Sequence, residues 1–250
     1  MKCLRPMLLS ACSVLFLSIS AIACAEPATV EGSLAAKRPE TVMPVPRDEG
    51  WMMRQDGINQ RVKEGNVDLI FVGDSITQAW ENAGKEVWKA HYAKRNAVNL
   101  GIGGDRTQHV LWRLDHGNID GISPNLAVIM IGTNNAGNSS PEDTAAGITA
   151  IVERLRTHLP ETKILLLAIF PRGANSDDEL RKVNMATNEI IKNLDDGKMI
   201  HFLDIGPKFL EADGSLSEKI MPDLLHLSPA GYQIWADAIE PSVHQLLDEK

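Results

Sequence analysis

Val67-Asp68-Leu69-Ile70-Phe71-Val72-Gly73-Asp74-Ser75-Ile76-Thr77 is the stretch on which the fold turns. Its first half, apolar and rich in β-branched and aromatic side chains, reads as a buried strand. The run stops at Gly73-Asp74-Ser75, and an amphipathic, helix-like stretch follows. A serine at such a junction stands at the carboxyl edge of a sheet, where the next helix also aims free backbone N–H groups. It can attack an acyl carbon if a histidine reaches it and amide donors wait for the oxyanion. By position alone Ser75 reads as a helix cap, as most serines after strands do, and it is the other blocks that turn the reading toward a nucleophile. The surroundings are not Gly-x-Ser-x-Gly, so the nucleophile elbow of the α/β-hydrolases does not apply.

Outward from this stretch the pattern alternates. Apolar runs recur at residues 97–100, 126–131, 164–169 and 199–203, with amphipathic stretches near 77–93, 107–115, 141–158 and 178–194. A last helix is predicted from Ser228-Pro229, an N-cap followed by proline at the first helical position, to about residue 248. Residues 51–64 predict one more helix at the domain edge, with Trp51 ahead of the domain and uninformative. Buried strands alternating with helices imply a parallel sheet covered on both faces. In such sheets the ligand crevice lies at the carboxyl ends of the strands. Gly73-Asp74-Ser75, Gly101-Ile102-Gly103-Gly104-Asp105, Gly132-Thr133-Asn134-Asn135 and Asp204 all follow apolar runs and are expected to share that edge. Trp80, Trp88, Trp112 and Trp235 sit at helical spacing and read as core.

Three later blocks carry chemistry. The glycines at 101, 103 and 104 let backbone approach a ligand closely, whereas a dinucleotide fingerprint would need glycine where Arg106 stands. Asn134 can aim a side-chain NH₂ at the site, or it stabilises a turn. Asp223 and His226 stand three apart, so the carboxylate can hold one ring nitrogen while the other faces a serine. That pair is otherwise a solvated loop. His91, His109, His116, His158, His201 and His244 fall mostly in helical or strand patterns, and His109 is the one expected near the site, in a supporting role. No His-Glu-x-x-His or comparable ligand cluster is present, so the sequence assigns no metal.

At 250 residues the chain suits one domain behind a leader. Lys2 and Arg5 precede a mostly apolar stretch over 7–23, and small residues surround Cys24, which reads as an export signal over residues 1–25. Cleavage after Ala25 competes with lipidation at Cys24, because Ala21-Ile22-Ala23-Cys24 resembles a lipoprotein box. Ser10, Ser13, Ser18 and Ser20 interrupt the stretch, which falls short of the ~20 apolar residues of a membrane span. Residues 26–48, rich in Ala, Pro and small polar residues, read as a linker, and residues 49–250 as the domain. All three cysteines (Cys3, Cys12, Cys24) lie in the leader, which excludes a disulfide or thiolate chemistry in the domain. The formal charge is −8. Removing Lys2 and Arg5 with the leader brings it to about −10, which disfavours nucleic acid and anionic membrane surfaces as partners.

The blocks in this order resemble the SGNH (GDSL-type) hydrolase family, most nearly the catalytic subunits of the intracellular platelet-activating factor acetylhydrolases. The likeness is densest over Asn99-Leu100-Gly101-Ile102-Gly103-Gly104-Asp105-Arg106-Thr107-Gln108-His109-Val110-Leu111-Trp112-Arg113-Leu114. It continues through Gly132-Thr133-Asn134-Asn135, Pro171-Arg172-Gly173 and Leu225-His226-Leu227, and spans about residues 51–247. The resemblance implies a flavodoxin-like three-layer α/β sandwich with a five-stranded parallel sheet, and no cofactor. It implies Ser75 as nucleophile, His226 as base and Asp223 as the group orienting it. The implied oxyanion hole combines the backbone N–H of Ser75, the backbone N–H of Gly104 and the side chain of Asn134. The activity so implied is a serine esterase acting on short, principally acetyl, esters. With an export signal in front, an O-acetylated carbohydrate is the expected substrate, and a lipid ester is the alternative. A non-catalytic carbohydrate-binding domain and a flavin or nucleotide binder are the readings of other classes. Related subunits pair, which leaves a homodimer open.

Overall fold

The computed structural model describes residues 38–249; the export signal and most of the linker read from the sequence lie outside them. Five strands form one parallel sheet: β1 (Leu69–Gly73), β2 (Ala97–Asn99), β3 (Leu126–Met130), β4 (Lys163–Leu167) and β5 (Ile200–Leu203). Their order is β2-β1-β3-β4-β5. The strand order reverses direction between β1 and β3, and an open parallel sheet opens its ligand crevice at that point. Leu69 pairs with Ala97 on one side and Leu126 on the other, so the carboxyl ends of β1, β2 and β3 finish at one edge.

Because side chains alternate along a strand, each face of the sheet collects its own core. Ile70, Val72, Ala127, Ile129, Ile164 and Leu166 pack beneath α1 (Glu49–Lys63), α4 (Thr107–Leu114), α5 (Pro141–His158) and α6 (Glu179–Ile191). Leu69, Phe71, Val128, Leu165 and Leu167 pack on the opposite face, against α3 (Lys85–His91) and α7 (Pro229–Leu246). The helices start where the sequence places caps. Ser140 accepts from the Asp143 N–H ahead of Pro141, Asp178 from that of Arg181, and Ser228 from that of Gly231 ahead of Pro229. Among the described residues no helix is long and apolar enough to cross a membrane.

Three expectations change. The helix expected over 77–93 is broken into α2 (Ser75–Gln78), a 3₁₀ turn (Ala79–Glu81) and α3. The break lies at Gly84, where an added Cβ would come within 2.6 Å of the Trp80 ring and 2.8 Å of the Tyr232 ring. Residues 38–48 are no linker. The 3₁₀ turn Glu40–Val42 buries Thr41, whose hydroxyl donates to the Asp143 carbonyl and whose carbonyl accepts from the Thr107 hydroxyl. The Val45 N–H is bound by the Gln108 carbonyl. Trp51 is likewise inside the domain, 4 % exposed, with its indole N–H donated to Asp105 at 2.7 Å. Trp80 and Trp235 are fully buried, and Trp88 and Trp112 pack against the core as expected.

Candidate active site

Ser75 is the first residue of α2, at the carboxyl end of β1. Asp74 makes the turn: its Oδ1 accepts the Ile76 N–H at 3.0 Å, and its carbonyl accepts the Gln78 N–H. The Ser75 Oγ lies 2.9 Å from the His226 Nε2. The His226 Nδ1 lies 2.6 Å from the Asp223 Oδ2, and the Asp223 Oδ1 accepts the backbone N–H groups of His226 and Leu225. A four-residue loop thus carries both carboxylate and imidazole. It bends through Leu224 at φ +59°, a left-handed conformation that costs a leucine energy. The Gly173 N–H donates to the Leu224 carbonyl and supports that bend. Burial pushes the Asp223 carboxyl up, but the bonds from the His226 ring, the His226 backbone and Leu225 outweigh it and hold the group below its ordinary range.

The glycine loop and the β3 turn come to the same edge. The Gly103 N–H is taken by the Gln78 Oε1 at 2.6 Å, and an added Cβ on Gly103 would stand 3.8 Å from that of Ser75. Gly104 sits at φ +74°, which glycine adopts without strain. Neither the Ser75 nor the Gly104 N–H has a hydrogen-bond partner among the described residues. The Asn134 Nδ2 donates one hydrogen to the Asp105 carbonyl at 2.9 Å, which fixes the amide and leaves its second hydrogen. Asp204 follows β5 at this edge, as expected, and binds the Gly206 N–H; among the described residues it makes no hydrogen bond to Ser75, His226 or Asp223.

Behind these turns lies a polar network that the sequence reading left out. Asp105 and Arg113 are both fully buried and paired at 2.8 Å. Arg113 also donates to the carbonyls of Leu100 and Gly73 and to the Asn118 Oδ1. One guanidinium therefore ties the start of the glycine loop to the turn that carries Ser75. Burial pushes the Asp105 carboxyl above its ordinary value, against Arg113, the Trp51 N–H and Arg47, which pull it down. The guanidinium does not deprotonate in proteins, so Arg113 keeps its charge beside the carboxyl. His109 lies at the start of α4, where its Nδ1 accepts the Arg106 N–H. Burial first, then Arg47, Arg106 and Arg113, lower it to about 4, so it is neutral at physiological pH.

Asp74 is more strained electrostatically. It is fully buried, its Oδ2 has no hydrogen-bond partner among the described residues, and burial raises its carboxyl to about 7 despite the Ile76 N–H, with Asp105 adding to the rise. A folded value above the ordinary 3.8 means that its stabilisation is complete below 3.8 and is lost as the pH rises through 7. Asp74→Asn keeps the Oδ1 acceptor and removes that loss. Unfolding in urea at about pH 5 and about pH 9 should therefore show the variant gaining on the parent at the higher pH. Parallel pH curves for the two proteins would refute the buried ionisation.

A sequence model of the GDSL-like lipase/acylhydrolase family matches residues 71–234, which include the serine turn, the glycine loop and the Asp-x-x-His loop. The chain belongs to the GDSL-like lipase/acylhydrolase family. Curated GDSL relatives include the platelet-activating factor acetylhydrolase IB subunit alpha1 of Bos taurus, 35 % identical over 86 % of this chain and 91 % of that protein. The alpha2 subunit of Rattus norvegicus is 36 % identical over 84 % and 91 %. Among solved structures, a GDSL-like lipase from Bacteroides thetaiotaomicron matches with a TM-score of 0.59 at 19 % identity, over 77 % of this chain and 97 % of that one. An acetylxylan esterase from Geobacillus stearothermophilus matches at 0.59 and 20 %, over 74 % and 96 %. At these identities the structures speak to the fold alone, and they bear out the three-layer sandwich with five parallel strands. As a GDSL acylhydrolase, the protein is a carboxylic ester hydrolase.

Proposed function

We propose that the protein is a serine esterase that removes acetyl groups from an O-acetylated carbohydrate outside the cytoplasm. The observation that carries the chemistry is the unbroken line from the Ser75 hydroxyl through His226 to Asp223, at 2.9 and 2.6 Å. Ser75 attacks the ester carbonyl as His226 takes its proton. The oxyanion rests against the N–H of Ser75, the N–H of Gly104 and the second hydrogen of the Asn134 amide. His226 then protonates the leaving alcohol, and water repeats the sequence on the acyl-serine, releasing acetate. Gln78 supports the choice of Gly104 over Gly103, because it already occupies the Gly103 N–H.

The acetyl group is supported by the likeness to acetylhydrolases across nearly the whole domain. A polar alcohol is supported by the openness of the site: the side chains of His226 and Asp223 stand 41 % and 56 % exposed. The negative charge of the chain also works against residence on anionic lipid surfaces. A lipid acetyl ester is the second reading, favoured by the names of the relatives. Export through residues 1–25 is part of the proposal.

Acetate release from a panel of acetylated sugars and acetylated glycerolipids separates the two, with the sugars expected to turn over faster. Acetyl, butyryl and octanoyl esters of one phenol test the acyl side, and kcat/KM is expected to fall along that series. An octanoyl preference would contradict the short acyl group. Labelling by a fluorophosphonate probe, absent in Ser75→Ala, separates an activated serine from a binding domain that has only kept the fold.

A further inference from the structure

The Gly104 N–H can serve an oxyanion only if its peptide plane is held in one orientation. The guanidinium that holds it belongs to the stretch that reads as a linker in the sequence. We propose that Arg47 is a positioning residue for ester hydrolysis, acting through the peptide between Gly103 and Gly104. The inference rests on the assignment of Gly104 as an oxyanion donor.

The Arg47 Nη1 donates to the Gly103 carbonyl at 2.7 Å. A trans peptide is planar, with its C=O and N–H pointing in opposite directions. Gripping the Gly103 oxygen from behind therefore aims the Gly104 N–H away from Arg47. The preceding peptide is pinned as well, because Gln78 accepts the Gly103 N–H. Between these two anchors Gly104 is held at φ +74°, and a Cβ there would come within 3.1 Å of the Arg47 Nη1.

Arg47 is itself held in place. Its Nη1 is 3.3 Å from the Asp105 Oδ1, the oxygen that also accepts the Trp51 indole N–H, while Arg113 binds Oδ2. Asp48, at 4.0 Å, is too distant for a hydrogen bond to compete. The Arg47 side chain remains 29 % exposed, so its replacement leaves the apolar core untouched.

Purified Arg47→Met should melt close to the parent and show kcat for an aryl acetate reduced by about 10- to 100-fold, the scale of a misplaced catalytic group. KM should stay within about twofold, because the carbonyl oxygen calls on the Gly104 N–H fully only as charge develops on it. A trifluoromethyl ketone forms a tetrahedral adduct with the serine and places an oxyanion in the same hole. Its affinity should fall by the same factor as kcat/KM, which a purely structural role would not produce. Arg47→Lys should recover part of the loss, since an ammonium can still donate to the Gly103 carbonyl. Full kcat in Arg47→Met, or a loss confined to KM, would overturn the inference while Ser75 chemistry stands. Failure of the parent enzyme itself to bind the ketone would instead overturn the acyl-enzyme reading beneath it.

Discussion

Replacing Ser75 with alanine is expected to lower turnover of an aryl acetate by about 10⁴-fold or more, and His226→Ala to bring it to a similar floor. In the proposed mechanism the two side chains act as one unit: a hydroxyl without its base is a poor nucleophile, and a base without the hydroxyl has nothing to activate. The double variant should therefore be no slower than either single one. Asp223→Asn should lose less, because Asp223 holds the ring and moves no proton itself. The residual rate in every case then measures what the proposed donors at Ser75, Gly104 and Asn134 contribute unaided. Initial rates with purified proteins of matched melting temperature decide the matter. Ser75→Ala at the parent rate would end the serine mechanism.

What the sequence disclosed follows the range of the interactions involved. The strands were legible because residues such as Leu69–Gly73 are apolar on both faces, and α5 and α7 because serine and proline mark their starts. The Asp223–His226 pair was legible because both groups lie in one loop and bond within it. The break at Gly84 was not, since the space there is closed partly by the ring of Tyr232, brought in from α7. The packing of residues 38–48 was hidden for the same reason: their composition suits a linker, but the Thr41 carbonyl and the Val45 N–H are bonded by α4, and the Thr41 hydroxyl by the Asp143 carbonyl. Gln78 and Arg47 reach the glycine loop from 25 and 56 residues away and leave no local pattern. Arg113 did leave one. A lone arginine within the apolar run Val110-Leu111-Trp112-Arg113-Leu114 signals a buried charge in need of a partner.

That arginine should also be the most sensitive point in the fold. Arg113→Met is expected to cost about 3–5 kcal/mol, because it strands the buried Asp105 carboxylate without its partner. For a domain of this size that corresponds to a fall in Tm of about 6–20 °C. The loss is more than one ion pair, since the Leu100 and Gly73 carbonyls and the Asn118 Oδ1 lose their donor together. Adding Asp105→Asn removes the stranded charge, so the double variant should be less destabilised than the sum of the two single changes. Arg113→Lys keeps the charge but lacks the planar fork that reaches four acceptors, and it should recover only part of the loss. Urea unfolding of the four variants and the parent measures these differences. A near-neutral Arg113→Met would mean that Asp105 is satisfied by Trp51 and Arg47 alone. The turns that carry Ser75 and Gly104 would then need another explanation for their fixed spacing.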